Sequence, residues 1–261
     1  MKFSILISNF NKDEFIEECI VSSLNQSYKN LEIIIFDNES TDNSLRIIKK
    51  YSNEIIVKSK KKISNFGPEN QIDLLLNAFK ISTGDIICLL DGDDFFLNDK
   101  VKKLQDIFSK NKEIDIVFDI PRIKKNNMLL PLKLKNKINK KIWPSTIPTS
   151  GISFRKFFFQ HCIDSNLFTN KPILEIDFRL SFFAQNIYGN FIILDDYLTF
   201  YRQVNDGVMS KLKKYSFKWW LKRKEAHNFI ANIYLSHNIK YKKGLDYYLT
   251  NLIISLFKII K

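Results

Sequence analysis

The chain predicts an α/β fold in which a mainly parallel central sheet carries helices on its faces. Short, largely apolar runs at residues 3–8, 31–36 and 86–90 have strand length and little charge. Between them, apolar residues recur at helical spacing. Each run ends in a polar cluster: Asn9-Phe10-Asn11, Asp37 to Asp42, and Asp91-Gly92-Asp93-Asp94. Strands alternating with helices make βαβ units, and a buried strand cannot hold three carboxylates, so the clusters mark where strands emerge.

Phe3 to Ser8 reads as the first strand, and Asp13 as the N-cap of a helix carrying Phe15, Ile16, Cys19, Ile20 and Leu24. Leu31 to Phe36 is the second strand. In the turn after it, Ser40 or Thr41 is expected to cap a helix with Leu45, Ile47 and Ile48. Ile55 to Val57 is a short third strand, Glu69 to Ile81 a helix closed by Thr83-Gly84, and Ile86 to Leu90 the fourth strand. Residues 123–142, rich in Lys and Asn, read as an exposed or mobile loop. Ile152 to Phe159 and Phe191 to Leu194 look strand-like, and Phe178 to Tyr188 is a helix ended by Gly189. From Trp219 onward the pattern is helical. Leu245, Tyr248, Leu249, Leu252, Leu256 and Ile259 share one apolar face, with Lys242, Lys243, Asn251, Lys258 and Lys261 around it.

The chain's 261 residues suffice for one large domain or two small ones, and only 7 Gly and 6 Pro argue against flexible linkers. A net charge of +13 favours an anionic partner or surface. Cys19, Cys88 and Cys162 form no CxxC pair, and the first two sit in apolar runs, which points to a reducing cytoplasm. No signal peptide and no bilayer-length apolar stretch is visible. Three histidines without ligand spacing argue against zinc.

In parallel sheets, ligands bind beyond the strand C-termini. Three polar clusters at such ends therefore outline a site. Crowded carboxylates at Asp91, Asp93 and Asp94 repel unless a cation sits among them, and hard oxygen ligands suit Mg²⁺ or Mn²⁺.

Phe3-Ser-Ile-Leu-Ile-Ser-Asn-Phe-Asn11, Asn25-Gln26-Ser27-Tyr28, Leu31-Glu-Ile-Ile-Ile-Phe-Asp-Asn-Glu-Ser-Thr-Asp42 and Thr83-Gly-Asp-Ile-Ile-Cys-Leu-Leu-Asp-Gly-Asp-Asp94 occur in that order. With Asp177-Phe-Arg-Leu180, Gly189 and Leu198-Thr-Phe-Tyr-Arg-Gln203, they resemble the family 2 glycosyltransferases. The resemblance implies a GT-A-type nucleotide-binding fold over residues 1–210, with a nucleotide-sugar half (1–100) and an acceptor half (101–210). A basic amphipathic helical segment follows at 211–261. It also implies an inverting transfer from a nucleotide-diphosphate sugar, most often a UDP-sugar, to a hydroxyl of a glycan or lipid-linked glycan, assisted by Mn²⁺ or Mg²⁺.

By that resemblance, Ser8, Phe10, Asp37 and Asn38 line the nucleobase pocket, and Asp91 and Asp93 hold ribose and metal. Asp94 is a further metal ligand. Arg202 is a candidate diphosphate clamp, with a surface salt bridge as the alternative. Asp177 is the general base with Glu175 as the alternative, while Ser150 and Gly151 face the acceptor. The sequence departs from the family pattern at Ser8, Phe10 and Asn38, and has Val204-Asn205 where a His often follows Tyr-Arg-Gln. These departures leave open a sugar-nucleotide-binding partner without turnover. A nucleic-acid-binding reading accounts for the charge but not for the strand-end carboxylates, which repel phosphate. Lys211 to Lys224, with Trp219 and Trp220, and the final helix suit either an anionic membrane surface, placing the protein at the cytoplasmic face, or packing on the catalytic domain.

Overall fold

The computed structural model describes residues 1–125, 128–132, 143–169, 173–203 and 212–259. The chain begins with β1 (Phe3–Asn9), α1 (Ile16–Leu24), β2 (Leu31–Asp37), α2 (Ser44–Lys49), β3 (Ile56–Ser59), α3 (Gly67–Ile81) and β4 (Ile86–Asp91). It continues through β5 (Phe95–Phe96), α4 (Lys100–Lys110), β6 (Ile116–Asp119), β7 (Arg122–Lys125) and β8 (Met128–Pro131). A 3-10 turn at Thr149–Gly151 leads into β9 (Ile152–Arg155), α5 (Lys156–Asp164) and α6 (Ile176–Phe183). A π-helical turn (Ala184–Tyr188), β10 (Phe191–Leu194), β11 (Thr199–Arg202), α7 (Phe217–Ser236) and α8 (Leu245–Ile259) complete it.

The main sheet has the order β10-β6-β9-β4-β1-β2-β3, and β3, β2, β1 and β4 all run parallel. β9 enters antiparallel between β4 and β6. The sheet is thus mixed and mainly parallel, as expected. Side chains alternate across it. Leu6, Ile34, Ile87 and Leu89 face a core built with α3, α5, α6 and α7. Phe3, Ile5, Ile7, Ile33, Ile35, Cys88 and Leu90 face the other side, under α1, α2 and α4. Burial on both faces is why these strands read as unbroken apolar runs. A second sheet, β5-β11-β7-β8, lies beside the strand ends.

Several local expectations need correction. Asp13 does not cap α1, which starts at Ile16. Its carboxylate accepts instead from Asn43 N at 3.2 Å, and its own N–H donates to Asp42 Oδ2 at 3.0 Å. Ser40 and Thr41 do not cap α2. Ser40 Oγ accepts from Asn11 N at 2.8 Å, and Thr41 N donates to Asn11 Oδ1 at 2.8 Å. The cause is register: Asn9 pairs with Asp37, so the loops after β1 and β2 lie side by side and satisfy each other's polar groups.

Residues 122–125 and 128–131 are paired strands, not loop, while 126–127 and 133–142 lie outside the described residues. The run 152–159 divides into β9 and the start of α5, because Phe158, Phe159 and Cys162 are spaced to bury one helix face. The helix through Tyr188 does end at Gly189, whose φ of +76° is a left-handed conformation that suits glycine. α7 is not free of the domain: Ala226, Phe229, Ile230 and Ile233 are buried in the core with Phe182.

Candidate active site

The parallel register sets Asn9 beside Asp37 and Ser8 beside Asp91 at one end of the sheet. Asp37 is fully buried and accepts from Asn9 Nδ2 (2.7 Å), Ser40 N (2.8 Å) and Ser40 Oγ (2.6 Å). Its carboxylate therefore shapes the loop from within. Asn38 ties three strand ends together, donating from its backbone N–H to Asn9 O and from Nδ2 to Lys60 O, each at 2.9 Å. Phe10 is the residue of this group that stays outside, 37% exposed, with Lys62 Nζ 3.6 Å from its ring centroid. The exposed aromatic face thus carries a cation.

Asp91 accepts from Ser8 Oγ (3.1 Å) and Gln71 Nε2 (2.6 Å). Burial, and then the neighbouring Asp93 charge, push its pKa up to about 7. Asp93 faces the crevice, where its Oδ2 lies 2.8 Å from Lys12 Nζ. Asp94 turns inward and is fully buried, its Oδ2 accepting from Ser150 Oγ at 2.6 Å and its Oδ1 from Arg202 N at 2.8 Å. Burial, with Asp93 and Asp91 nearby, raises its pKa well above the usual carboxylate range. Both Asp94 oxygens are thus engaged within the protein, and its carboxylate ties the acidic loop to Ser150 and Arg202.

Arg202 is likewise turned inward. Its guanidinium donates to Asp93 O at 2.7 Å, pairs with Glu18, and lies 4.8 Å from the Phe15 and 4.9 Å from the Phe95 ring centroids. It braces the acidic loop through these contacts, and the pairing with Glu18 is the salt bridge expected as the alternative to a diphosphate clamp. Ser150 and Gly151, expected to meet an acceptor, are fully enclosed. Ser150 Oγ accepts from Asp91 N at 3.0 Å, and its carbonyl accepts from Lys100 Nζ (2.8 Å) and Thr199 Oγ1 (3.1 Å). A Cβ at Gly151 would stand 2.5 Å from Asp119 O. Gly151→Ala must therefore move backbone, and a loss of about 1–3 kcal/mol is expected from overpacking. A thermal melt reads the effect, and an unchanged melting temperature would contradict this packing.

Asp177 lies in the first turn of α6, after the N-cap position held by Glu175. Its Oδ1 accepts from Phe178 N at 2.6 Å. Burial first, and the Glu175 charge second, push its pKa up to about 7, with Lys222 opposing them. Glu175 is ion-paired with Lys222 of α7. Asp177 also feels the Asp91 charge, so the two carboxylates share one electrostatic environment.

Among the described residues, no three His, Cys, Asp or Glu side chains gather as a metal cage. Asp93 presents a carboxylate to the crevice, with Asp91 adjoining it. Mg²⁺ and Mn²⁺ often take one or two carboxylates and complete their shell with water and phosphate. The residues fit an ion that is held jointly with a diphosphate better than one held by protein alone.

Sequence reasoning missed Lys12, Gln71, Lys100 and Lys222. Lys12 directly follows Asn11 and had a positional signal, but in a lysine-rich chain it did not stand out. The others reach the site across the fold from helices and carried no local signal.

The family model described as Glycosyl transferase family 2 matches residues 4–175. An uncharacterized glycosyltransferase of Haemophilus influenzae is 38% identical over 110 residues, covering 41% of this chain and 42% of that protein. The Escherichia coli UDP-Glc:alpha-D-GlcNAc-diphosphoundecaprenol beta-1,3-glucosyltransferase WfaP is 36% identical over 98 residues, covering 38% of each. The matched region therefore spans less than half the length of either relative. Staphylococcus aureus TarS 1–349, in complex with UDP-GlcNAc, superposes with a TM-score of 0.66 at 16% identity, covering 98% of this chain and 71% of that one. At that identity the likeness is one of fold.

Proposed function

The chain belongs to glycosyl transferase family 2, and from that membership we propose that it moves a sugar, with inversion, from a nucleotide-diphosphate donor to a hydroxyl of a cell-surface glycan. The observation that carries the reading is the placing of Asp177 within reach of the strand-end carboxylate Asp91, which itself adjoins Asp93 and its partner Lys12. Burial holds Asp177 with its pKa near the working pH. A base is most effective under that condition.

In this reading Phe10 stacks on the nucleobase beside Asn38, while Ser8 and Asp91 border the ribose. Asp177 takes the proton of the acceptor hydroxyl as its oxygen bonds to the anomeric carbon. The bond from that carbon to the phosphate oxygen breaks on the opposite face, and the nucleoside diphosphate leaves with the electron pair. A Mn²⁺ or Mg²⁺ ion at Asp93, with Asp91 beside it, supplies Lewis-acid stabilisation of the leaving diphosphate when bound. Lys12 is a second cation at the same carboxylate and adds positive charge on the diphosphate side.

UDP is the favoured nucleotide because the names of the E. coli and S. aureus proteins describe UDP-sugars. The E. coli name further describes an acceptor on a lipid diphosphate, which supports a lipid-linked glycan here and a peripheral place at the cytoplasmic face of a membrane. Among the described residues no helix is long and apolar enough to cross a membrane.

Calorimetric titration with UDP, dTDP and GDP, each with and without Mn²⁺, tests the reading. UDP binding strengthened by Mn²⁺ and lost in Asp93→Asn is the expected result. Failure of all three nucleotides to bind would overturn it. Binding without transfer across a broad acceptor panel would favour a partner subunit that holds the donor and does not turn it over.

A further inference from the structure

We propose that the leucine face of α8 is a docking surface for an anionic lipid bilayer. The inference names the surface at which the proposed transfer would occur and rests on that reading for its purpose. The contact itself needs neither nucleotide nor acceptor.

The rotation of α8 is set by its inner side. Thr250 and Ile254 are buried, and the Phe257 ring lies 5.4 Å from that of Phe217 on α7. Asp246, the acidic residue of this helix, is held inward: Arg223 Nε and Nη2 donate to its Oδ1 at 2.9 and 2.6 Å, and His227 Nε2 lies 3.0 Å from its Oδ2. This anchoring leaves Leu245, Tyr248, Leu249, Leu252 and Leu256 outward, each between 49% and 90% exposed. Their spacing of three and four residues makes one continuous uncharged stripe. Leu235 and Ile239, at the end of α7 and just beyond it, are exposed as well.

Charge selects the occupant. Lys240, Lys242 and Lys243 stand exposed immediately before the stripe, and no acidic residue occurs between Glu225 and Asp246. Lysines also follow it in sequence, at 258 and 261. A second copy seated on the stripe in parallel would bring Lys240, Lys242 and Lys243 against their own copies. Anionic headgroups complement these lysines while acyl chains take the leucines. Fifteen residues make a helix about 22 Å long, short of a bilayer's hydrocarbon core, so it lies in the interface rather than crossing.

The structure also moves the contact from where the sequence suggested it. Trp220 is buried, and Trp219 stacks edge-on against it, with Arg223 over the Trp219 ring. These two tryptophans pack within the protein, and α8 presents the apolar surface.

Co-sedimentation of the full chain with phosphatidylglycerol-containing vesicles, against pure phosphatidylcholine vesicles, tests the proposal. Binding to the first and little to the second is expected, weakening at high salt. Leu249→Glu/Leu252→Glu and, separately, Lys242→Glu/Lys243→Glu should each reduce the bound fraction about tenfold. All four side chains point outward, so circular dichroism should be unchanged. No binding by the wild type, or equal binding by the variants, overturns the proposal. So does a wild-type dimer in light scattering that Leu249→Glu/Leu252→Glu converts to monomer, since a second copy would then be the occupant. UDP titration of the same variants separates the two readings. Vesicle binding without UDP binding defeats the transferase reading alone, and UDP binding without vesicle binding defeats this one.

Discussion

Asp177→Asn should lower the rate of sugar transfer by about 10²–10⁴-fold, the usual contribution of a positioned general base, while UDP binding in the presence of Mn²⁺ is retained. The expectation follows from geometry first. Asp177 sits at the start of α6, held by the Phe178 N–H, outside the hydrogen bonds that shape the nucleotide loops. Asparagine keeps the size and the acceptor oxygen but cannot take a proton. Transfer surviving at more than a tenth of wild type would remove Asp177 from the base role and leave Glu175 to be examined.

The pH dependence gives a second readout. Asp177 and Asp91 are both pushed up to about 7, each chiefly by burial. With both required as carboxylates, kcat/KM should fall on the acid side of about pH 7, with a logarithmic slope between one and two. Linkage gives the opposite sign for stability. A carboxylate whose folded pKa lies above its unfolded value binds protons more tightly when folded, so its contribution worsens as pH rises from the unfolded value through the folded one. Asp177→Asn should therefore raise the melting temperature at pH 8 and do so less at pH 4. A gain that is the same at both pH values would mean that burial does not strain this carboxylate.

Lys100→Met should destabilise the protein by about 3–5 kcal/mol, the usual effect of breaking a buried ion pair. Lys100 and Asp119 are both fully enclosed, with Nζ 2.8 Å from Asp119 Oδ2. The ammonium also donates to Ser150 O (2.8 Å) and Thr199 Oγ1 (2.7 Å) and lies 3.9 Å from the Phe96 ring centroid. Methionine fills similar space but leaves a carboxylate in the core without a counter-charge. Among the described residues Asp119 Oδ1 already lacks a hydrogen-bond partner, so no donor there stands ready to replace the ammonium. For a chain of this size the drop in melting temperature should be roughly 6–20 °C.

The damage should also reach the site, because Lys100 fixes Ser150, and Ser150 fixes both Asp94 and the backbone of Asp91. Adding Asp119→Leu to Lys100→Met should recover most of the stability without recovering nucleotide binding, since apolar replacement of a buried pair is often near neutral. A melting temperature within two or so degrees of wild type for Lys100→Met alone would show that the pair contributes little.

Legibility in the sequence followed burial. β1, β2 and β4 were plain because both their faces are covered and polar residues are excluded until the strand ends. The three polar clusters were legible for the same reason. β7 and β8 were not, because Met128, Leu129 and Leu130 are exposed and Lys124 and Lys125 alternate with little pattern, so nothing distinguishes that hairpin from loop. The segment from Ile152 to Phe159 misled because a short apolar run does not distinguish strand from helix. Asp13, Ser40 and Thr41 looked like caps because their residue types favour caps, whereas their partners lie about thirty residues away. Lys100 was the least legible. A lysine in an amphipathic helix reads as solvated, and only the fold shows that Asp119, Thr199 and Ser150 converge on it.

The position of β9 bears on how the chain assembles during synthesis. β4 and β6 are not neighbours; they are joined through a strand that begins at Ile152, some sixty residues after β4 ends. The parallel strands up to β4 precede it in synthesis, and one edge of β4 stays unpaired until β9 arrives. An open apolar edge is a template for pairing with another nascent chain. Between the making of Asp91 and of Arg155, that edge of β4 has no partner strand within its own chain.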